Sequence, residues 1–267
     1  MNLQGAVALV TGASHGIGRA TASALHRQGA AVGLLARSED ELEAAVAALG
    51  AKAAYAVADV ADRVQVDEAL ARLTAALGAP DVLVNNAGIG AYRSVLEEDP
   101  ATFERCMRVN YLGTVNAILA VLPGMAARRR GHIVNVASVA GRVGAPFEAA
   151  YSASKFAVVG LSEALAAEVH PLGIRVSLVN PGPVDTRFTE ARGVPFQRRV
   201  PRPMEARRVA DAVVDAVVRD RFEQTLPRWL RLGVVTRAVA PNLYRRGLVR
   251  AAAKDAGALA HRLEASR

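Results

Sequence analysis

Apolar residues fall in six short, nearly unbroken runs: "AVALVTG" (6–12), "AAVGLLA" (30–36), "KAAYAVA" (52–58), "DVLVNNAG" (81–88), "HIVNVAS" (132–138) and "IRVSLVN" (174–180). A strand with one wet face alternates apolar and polar positions, whereas continuous runs of this length indicate strands covered on both faces and therefore paired in parallel. Between the runs lie stretches with helical spacing, among them "GIGRATASALHRQG" and "SEDELEAAVAALG". The second opens on acidic residues and both end on glycine, as helix termini favour. The alternation predicts an α/β fold: a doubly wound, mostly parallel sheet with helices on both faces. No repeat, low-complexity segment or linker interrupts the chain before about residue 181. The expected organisation is one domain over 1–226, including a substrate loop at about 183–203, followed by a basic amphipathic extension over 227–267. The most apolar segment, "VNYLGTVNAILAVLPGMAA", contains asparagine, glycine and proline and reads as a buried helix. The amino terminus lacks a basic segment leading into a long apolar core, so a cytoplasmic protein is expected.

Composition sharpens this picture in two places. The 267 residues are 52% hydrophobic, enough for a large core, and the single cysteine, Cys106, excludes an internal disulfide or a cysteine-built metal site. Cys106 reads as a packing residue, and no metal is expected. The net charge of +8 would suit a nucleic-acid partner were it spread over the fold. Residues 1–186, however, hold 15 basic against 17 acidic side chains, while 219–267 hold 11 against 4. With aromatics at only 4%, few base-stacking platforms exist and no nucleic-acid partner is expected.

Chemistry enters at the ends of the strands. The first run leads into "TGASHGIG", where Gly12, Gly16 and Gly18 permit a sharp turn and a close backbone approach. Ser14, His15 and Ile17 share that turn, and the free amides opening the next helix suit a pyrophosphate. The plainer alternative is a glycine-rich strand-to-helix turn. After the second run, an acidic residue would hold the ribose hydroxyls of NAD. The chain instead has Ala36, Arg37 and Ser38, and an arginine fork with a neighbouring hydroxyl suits a 2′-phosphate. His15 is a further candidate for that phosphate. A solvated arginine at a helix entrance is the alternative.

The chain resembles the short-chain dehydrogenase/reductase family over nearly all of residues 5–220. The resemblance rests on "TGASHGIG", "ADV" with Asp59, "NNAG" at 85–88, Asn110 in "VNYLG", Ser138 in "NVASVAG", Tyr151 and Lys155 in "YSASK", and "NPGPVDT" at 180–186. It implies a single Rossmann-type domain with a seven-stranded sheet, a nicotinamide cofactor and carbonyl/alcohol chemistry. It further implies that Asp59, with Val60, contacts the adenine and that Asn86, Ala87 and Gly88 support the sheet and cofactor. Pro181, Gly182, Val184 and Thr186 would bind the cofactor, with Thr186 on the carboxamide of the nicotinamide.

Tyr151 and Lys155 are four residues apart within a helical pattern and so share a face. Free tyrosine titrates near pH ~10, and a neighbouring ammonium together with an oxidised nicotinamide's charge favours the phenolate, making a usable acid/base. Ser138 would hold the substrate oxygen beside the tyrosine hydroxyl. Lys155 would also hold the ribose, and Asn110 would retain a water linking the lysine to solvent. The plainer readings are a core aromatic, a snorkelling lysine and a helix-capping serine. Together the residues favour an NADP(H)-dependent oxidoreductase over the alternative, a non-catalytic NADP-binding sensor or partner-binding protein.

Ligands of an open α/β sheet lie beyond the carboxyl ends of its strands, which assigns Ile89, Tyr92, Val139, Val143, Phe147, Phe188 and Phe196 to the substrate pocket. This apolar set suits a small, apolar carbonyl or alcohol. The resemblance implies a homodimer or homotetramer paired through helices at about 102–128 and 151–170. The extension, "RWLRLGVVTRAVAPNLYRRGLVRAAAK", mixes large apolar residues with arginines, and Pro241 divides it. It is expected to form an arm over its own or a neighbouring subunit's pocket, the alternative being peripheral contact with an acidic membrane.

Overall fold

Each of the six apolar runs folds into a strand: β1 (Val7–Thr11), β2 (Ala31–Ala36), β3 (Ala53–Val57), β4 (Val82–Asn85), β5 (Gly131–Val136) and β6 (Ile174–Pro181). The structure, a computed structural model, describes residues 1–188, 201–250 and 252–253. A seventh strand, β9 (Glu223–Leu226), completes one sheet in the order β3-β2-β1-β4-β5-β6-β9. Every neighbouring pair in it is parallel, so the sheet is wholly parallel. The remaining strands, β7 (Val184–Asp185) and β8 (Met204–Glu205), pair only with each other.

The helices α1 (Gly16–Arg27), α2 (Glu39–Leu49), α3 (Arg63–Leu77), α4 (Pro100–Cys106), α5 (Gly113–Ala127), α6 (Ala149–Val169) and α7 (Ala206–Arg219) cover the sheet. Successive strand residues point to opposite faces, which splits the core in two. Ala8 and Val10 pack with Leu25, Leu42 and Val213 of α1, α2 and α7. Val7 and Leu9 pack with Leu73, Ile118 and Leu165 of α3, α5 and α6. Both faces of β1 are consumed, hence its unbroken apolar run.

α4 and α5 are joined by a π-helical stretch, Met107–Leu112, that holds Asn110. By length and composition the continuous helix Pro100–Ala127 could span a membrane. It packs instead against α3 and α6 and buries Ala117, Ile118, Val121 and Met125. Leu112 and Leu119 remain about half exposed on it.

Strand order reverses between β1 and β4, so the chains leaving their carboxyl ends part to opposite sides and open a crevice. Gly12 (φ +63°) turns the chain out of β1, and a Cβ there would stand 2.7 Å from the Ala87 Cα. Asn86 fixes the other wall: its side-chain amide donates to the carbonyls of Thr11 and Gly12 at 3.0 and 3.1 Å.

His132 in β5 is fully buried, with Nε2 2.8 Å from Ser177 Oγ. Ser177 spends its hydroxyl proton on the Arg221 carbonyl, so Nε2 is the donor of this pair. Burial lowers its pKa from 6.5 to about 4. Between those values the unfolded chain binds a proton that the native state refuses, so stability falls as pH drops from about 6.5 to 4. The expected contribution is about 3 kcal/mol. Denaturant unfolding across that range should show it, and a His132→Gln variant should lose this part of the slope; an unchanged slope would contradict the assignment.

Beyond β9 the chain makes a short turn at Arg228–Leu230, then α8 (Arg231–Val239) and a further helix over 241–250. These elements form an arm that returns toward the carboxyl ends of the strands.

Candidate active site

A cleft of about 450 Å³ lies over the crevice between β1 and β4, and the elements around it account for its chemistry. α1 points its amino terminus into the cleft from Gly16. Its N-cap, His15, makes no side-chain cap bond, and no acidic residue lies in the first turn. The opening amides and the positive end of the helix dipole therefore favour an anion there. Gly16 (φ +57°) faces Thr186, whose side chain would stand 3.2 Å from a Cβ built on it, so a side chain here would crowd the entrance. Gly18 serves differently. It is buried, and a Cβ would overlap the Gly12 carbonyl; its smallness lets α1 pack on the turn, and it does not line the cleft.

The remaining cofactor candidates, Gly12, Ser14, His15, Gly16, Ile17, Arg37, Ser38, Asp59, Val60, Asn86, Ala87, Gly88, Pro181, Gly182, Val184 and Thr186, all line this cleft. Ala36 ends β2 and Arg37 follows it at one extremity. Asp59 holds its loop by accepting from the Ala61 amide at 2.9 Å. The glycine cradle, the unspent helix amides and the arginine at the far end fit an extended dinucleotide.

At the other end Ser138, Tyr151 and Lys155 converge. The two helical residues stand on the first turns of α6 and face inward together. Lys155 is 4% exposed, donates to the Val136 carbonyl at 3.0 Å and lies 5.9 Å from the centre of the Tyr151 ring. Removing the ammonium from water lowers its pKa from 10.5 to about 8. Close packing enforces the burial: a Cβ on Gly88 would lie 3.5 Å from Lys155 Nζ, and one on Gly141 would meet the Lys155 carbonyl at 2.7 Å. Ser138 caps the turn Val139–Gly141 by accepting from the Ala140 amide at 3.0 Å, while its own proton has only a long contact, 3.4 Å, to the Pro181 carbonyl. Such a hydroxyl readily redirects to a better acceptor.

Asn110 does not line the cleft. It is fully buried, its amide donating to the Ile89 carbonyl at 2.9 Å and to Ser154 Oγ at 2.8 Å, while its Oδ1 accepts from the Ile89 amide at 2.7 Å. Ser154 in turn donates to the Tyr151 carbonyl at 2.7 Å. Asn110 thus ties the loop after β4 to the helix turn that carries Tyr151. Both of its amide protons are thereby engaged within the protein.

Of the substrate candidates, Ile89, Val139, Val143 and Phe188 line the cleft, with the Phe188 ring 5.7 Å from that of Tyr151. Tyr92 and Phe147 correct the expectation: they stack on each other at 5.9 Å and are absent from the lining. Phe147 has a positive φ (+66°), and the adjoining loop is clipped by the Arg93 amide to its carbonyl at 2.7 Å. Phe196 falls outside the described residues. The sequence candidates did not include Glu148, Leu230, Tyr244 and Leu248, which also line the cleft. Leu230, Tyr244 and Leu248 belong to the arm, whose possible role over the pocket was the only signal for them.

Residues 6–194 match the short chain dehydrogenase family. Over 194 residues the chain is 42% identical to 3-ketodihydrosphingosine reductase of Bacteroides thetaiotaomicron, covering 72% of this chain and 69% of that protein. A short-chain dehydrogenase/reductase from Burkholderia phymatum, solved with NAD, superposes with a TM-score of 0.83 at 28% identity, over 91% of this chain and 96% of that one. One from Burkholderia cenocepacia J2315, solved with NADP, gives 0.80 at 32% identity over 93% and 99%.

Proposed function

Because the chain belongs to the short-chain dehydrogenase/reductase family, an oxidoreductase of carbonyl and alcohol groups with a nicotinamide dinucleotide cofactor, we propose that it works with NADP(H) on a substrate with an extended apolar portion. The observation that carries the reaction is the convergence of Ser138, Tyr151 and Lys155 at one end of a cleft whose other end is a glycine cradle.

When bound, the dinucleotide supplies or accepts the hydride at the carbonyl carbon. Ser138 holds the substrate oxygen with the proton now only weakly engaged by Pro181. Tyr151 gives that oxygen a proton in reduction and takes it back in oxidation. Lys155 places positive charge beside the oxygen on which negative charge develops, and its burial keeps that charge poorly screened. Asn110 and Ser154 position the turn that carries Tyr151.

Support for NADP(H) comes from Arg37 lining the cleft at the end of β2, where Ala36 leaves no carboxylate to bind ribose hydroxyls and repel a phosphate. Charge-assisted bonds to a 2′-phosphate contribute about 1.5 to 3 kcal/mol each, which corresponds to about tenfold or more in affinity. Calorimetry should find NADP bound that much more tightly than NAD, and Ala36→Asp with Arg37→Ala should reverse the order. Equal affinities in the parent protein would remove the basis for this preference. Support for an apolar substrate comes from Ile89, Val139, Val143 and Phe188, extended by Leu230 and Leu248 of the arm, and from the 3-ketodihydrosphingosine named for the Bacteroides relative. Assaying ketones of increasing chain length with NADPH tests it: kcat/KM rises with chain length if the reading is right, and a preference for short polar carbonyls overturns it.

A further inference from the structure

The arm after β9 has two apolar faces, and among the described residues only one of them is packed against the fold. Leu230, Tyr244 and Leu248 turn inward onto the cleft, and a Cβ on Gly182 would touch Leu230 at 2.8 Å, so the arm rests directly on the strand ends. The outer side carries Trp229, Leu232, Val235, Val239, Leu243 and Val249, between 50% and 77% exposed. Leu232, Val235 and Val239 recur at helical spacing along α8, a stripe that a solvated helix would fill with polar residues. From Gln224 to Ala253 the sequence contains no acidic residue but has arginines at 228, 231, 237, 245, 246 and 250. Arg237 lies 5.1 Å from the Phe156 ring centre and donates to the Arg142 carbonyl at 3.2 Å. All six arginines are exposed.

We infer that this outer face docks the protein on an anionic lipid surface. Exposed tryptophan, leucine and valine enter the headgroup boundary, while the arginines meet lipid phosphates, the pairing by which interfacial helices bind. Charge decides for lipid over a second copy of the chain: opposing two such arms would bring arginine against arginine with no carboxylate to answer it. The inference goes beyond the substrate reading, and vesicle capture measures it without any turnover.

The full chain should cosediment with vesicles of equal parts phosphatidylcholine and phosphatidylglycerol, less with phosphatidylcholine alone, and less as salt is raised. Leu232→Glu with Val239→Glu, two residues outside the cleft, should lower capture at least about tenfold by removing apolar anchors and adding repulsion, with NADP affinity and thermal unfolding retained as the check on folding. Failure of the full chain to bind either vesicle overturns the inference, as does a double variant captured as well as its parent. Self-association lost in the variant without vesicle capture by the parent would assign the face to a second copy, and overturns it too.

Discussion

Tyr151→Phe is expected to lower turnover by roughly 10² to 10⁴-fold, the range spanned by removal of a positioned general acid or base. The expectation follows from placement. Tyr151 is on the first turn of α6, its ring 5.9 Å from an ammonium that has been taken out of water. Removing one oxygen leaves the packing against Phe188 and the glycine cradle intact, so NADP affinity should be unchanged. Turnover within a few-fold of the parent on a good substrate would remove Tyr151 from the chemistry.

Lys155→Met is expected to separate activity from stability. An ammonium buried here destabilises the native state: its pKa falls from 10.5 to about 8, so the unfolded chain carries a proton between those values that the native chain lacks. Stability therefore rises with pH across that window, and at pH 7 the native state bears the full cost of a buried charge. An isosteric apolar side chain removes the cost, up to about 3 kcal/mol, but leaves the Val136 carbonyl without its donor, which returns on the order of 1 kcal/mol. The net expectation is a variant more stable at pH 7 by about 1 to 2 kcal/mol, lacking the alkaline rise of the parent, and deficient in both rate and NADP affinity. Denaturant unfolding at pH 7 and 9.5 with steady-state kinetics reads all three. A variant both less stable and fully active would show that Lys155 is structural.

The six buried strands were legible because burial on both faces leaves no room for polar alternation. β9 was not: "EQTL" is a short edge strand bonded only to β6, and three of its four residues are partly exposed. Run boundaries exceeded strand boundaries where the apolar pattern continued into the cleft walls; the run at 81–88 leaves the sheet after Asn85, where Asn86 turns back to Thr11 and Gly12. The π-helical turn around Asn110 has the same apolar periodicity as the helix around it and left no mark in the sequence.

The candidate site was legible where local spacing carries geometry, as in the glycine turn and the Tyr151 and Lys155 pair. It was not legible where contact depends on loop path. Tyr92 and Phe147 lie in the right segments, but two aromatic rings on neighbouring loops find each other before they find the cleft. Glu148 stands one residue before α6, and only the direction of the helix entry shows that it borders the cleft. Leu230, Tyr244 and Leu248 come from an arm whose return path no sequence period encodes.

Hydride transfer to a carbonyl carbon with proton delivery by Tyr151 is the central claim. Its most direct test is single-turnover reduction of a long-chain ketone by NADPH deuterated at the transferring carbon of the nicotinamide, with the product read by mass spectrometry. The account predicts one deuterium at the carbinol carbon and none from heavy-water solvent at that position, with the same product formed far more slowly by Tyr151→Phe at saturating cofactor. Alcohol lacking the label, or equal rates from the two proteins, would contradict it.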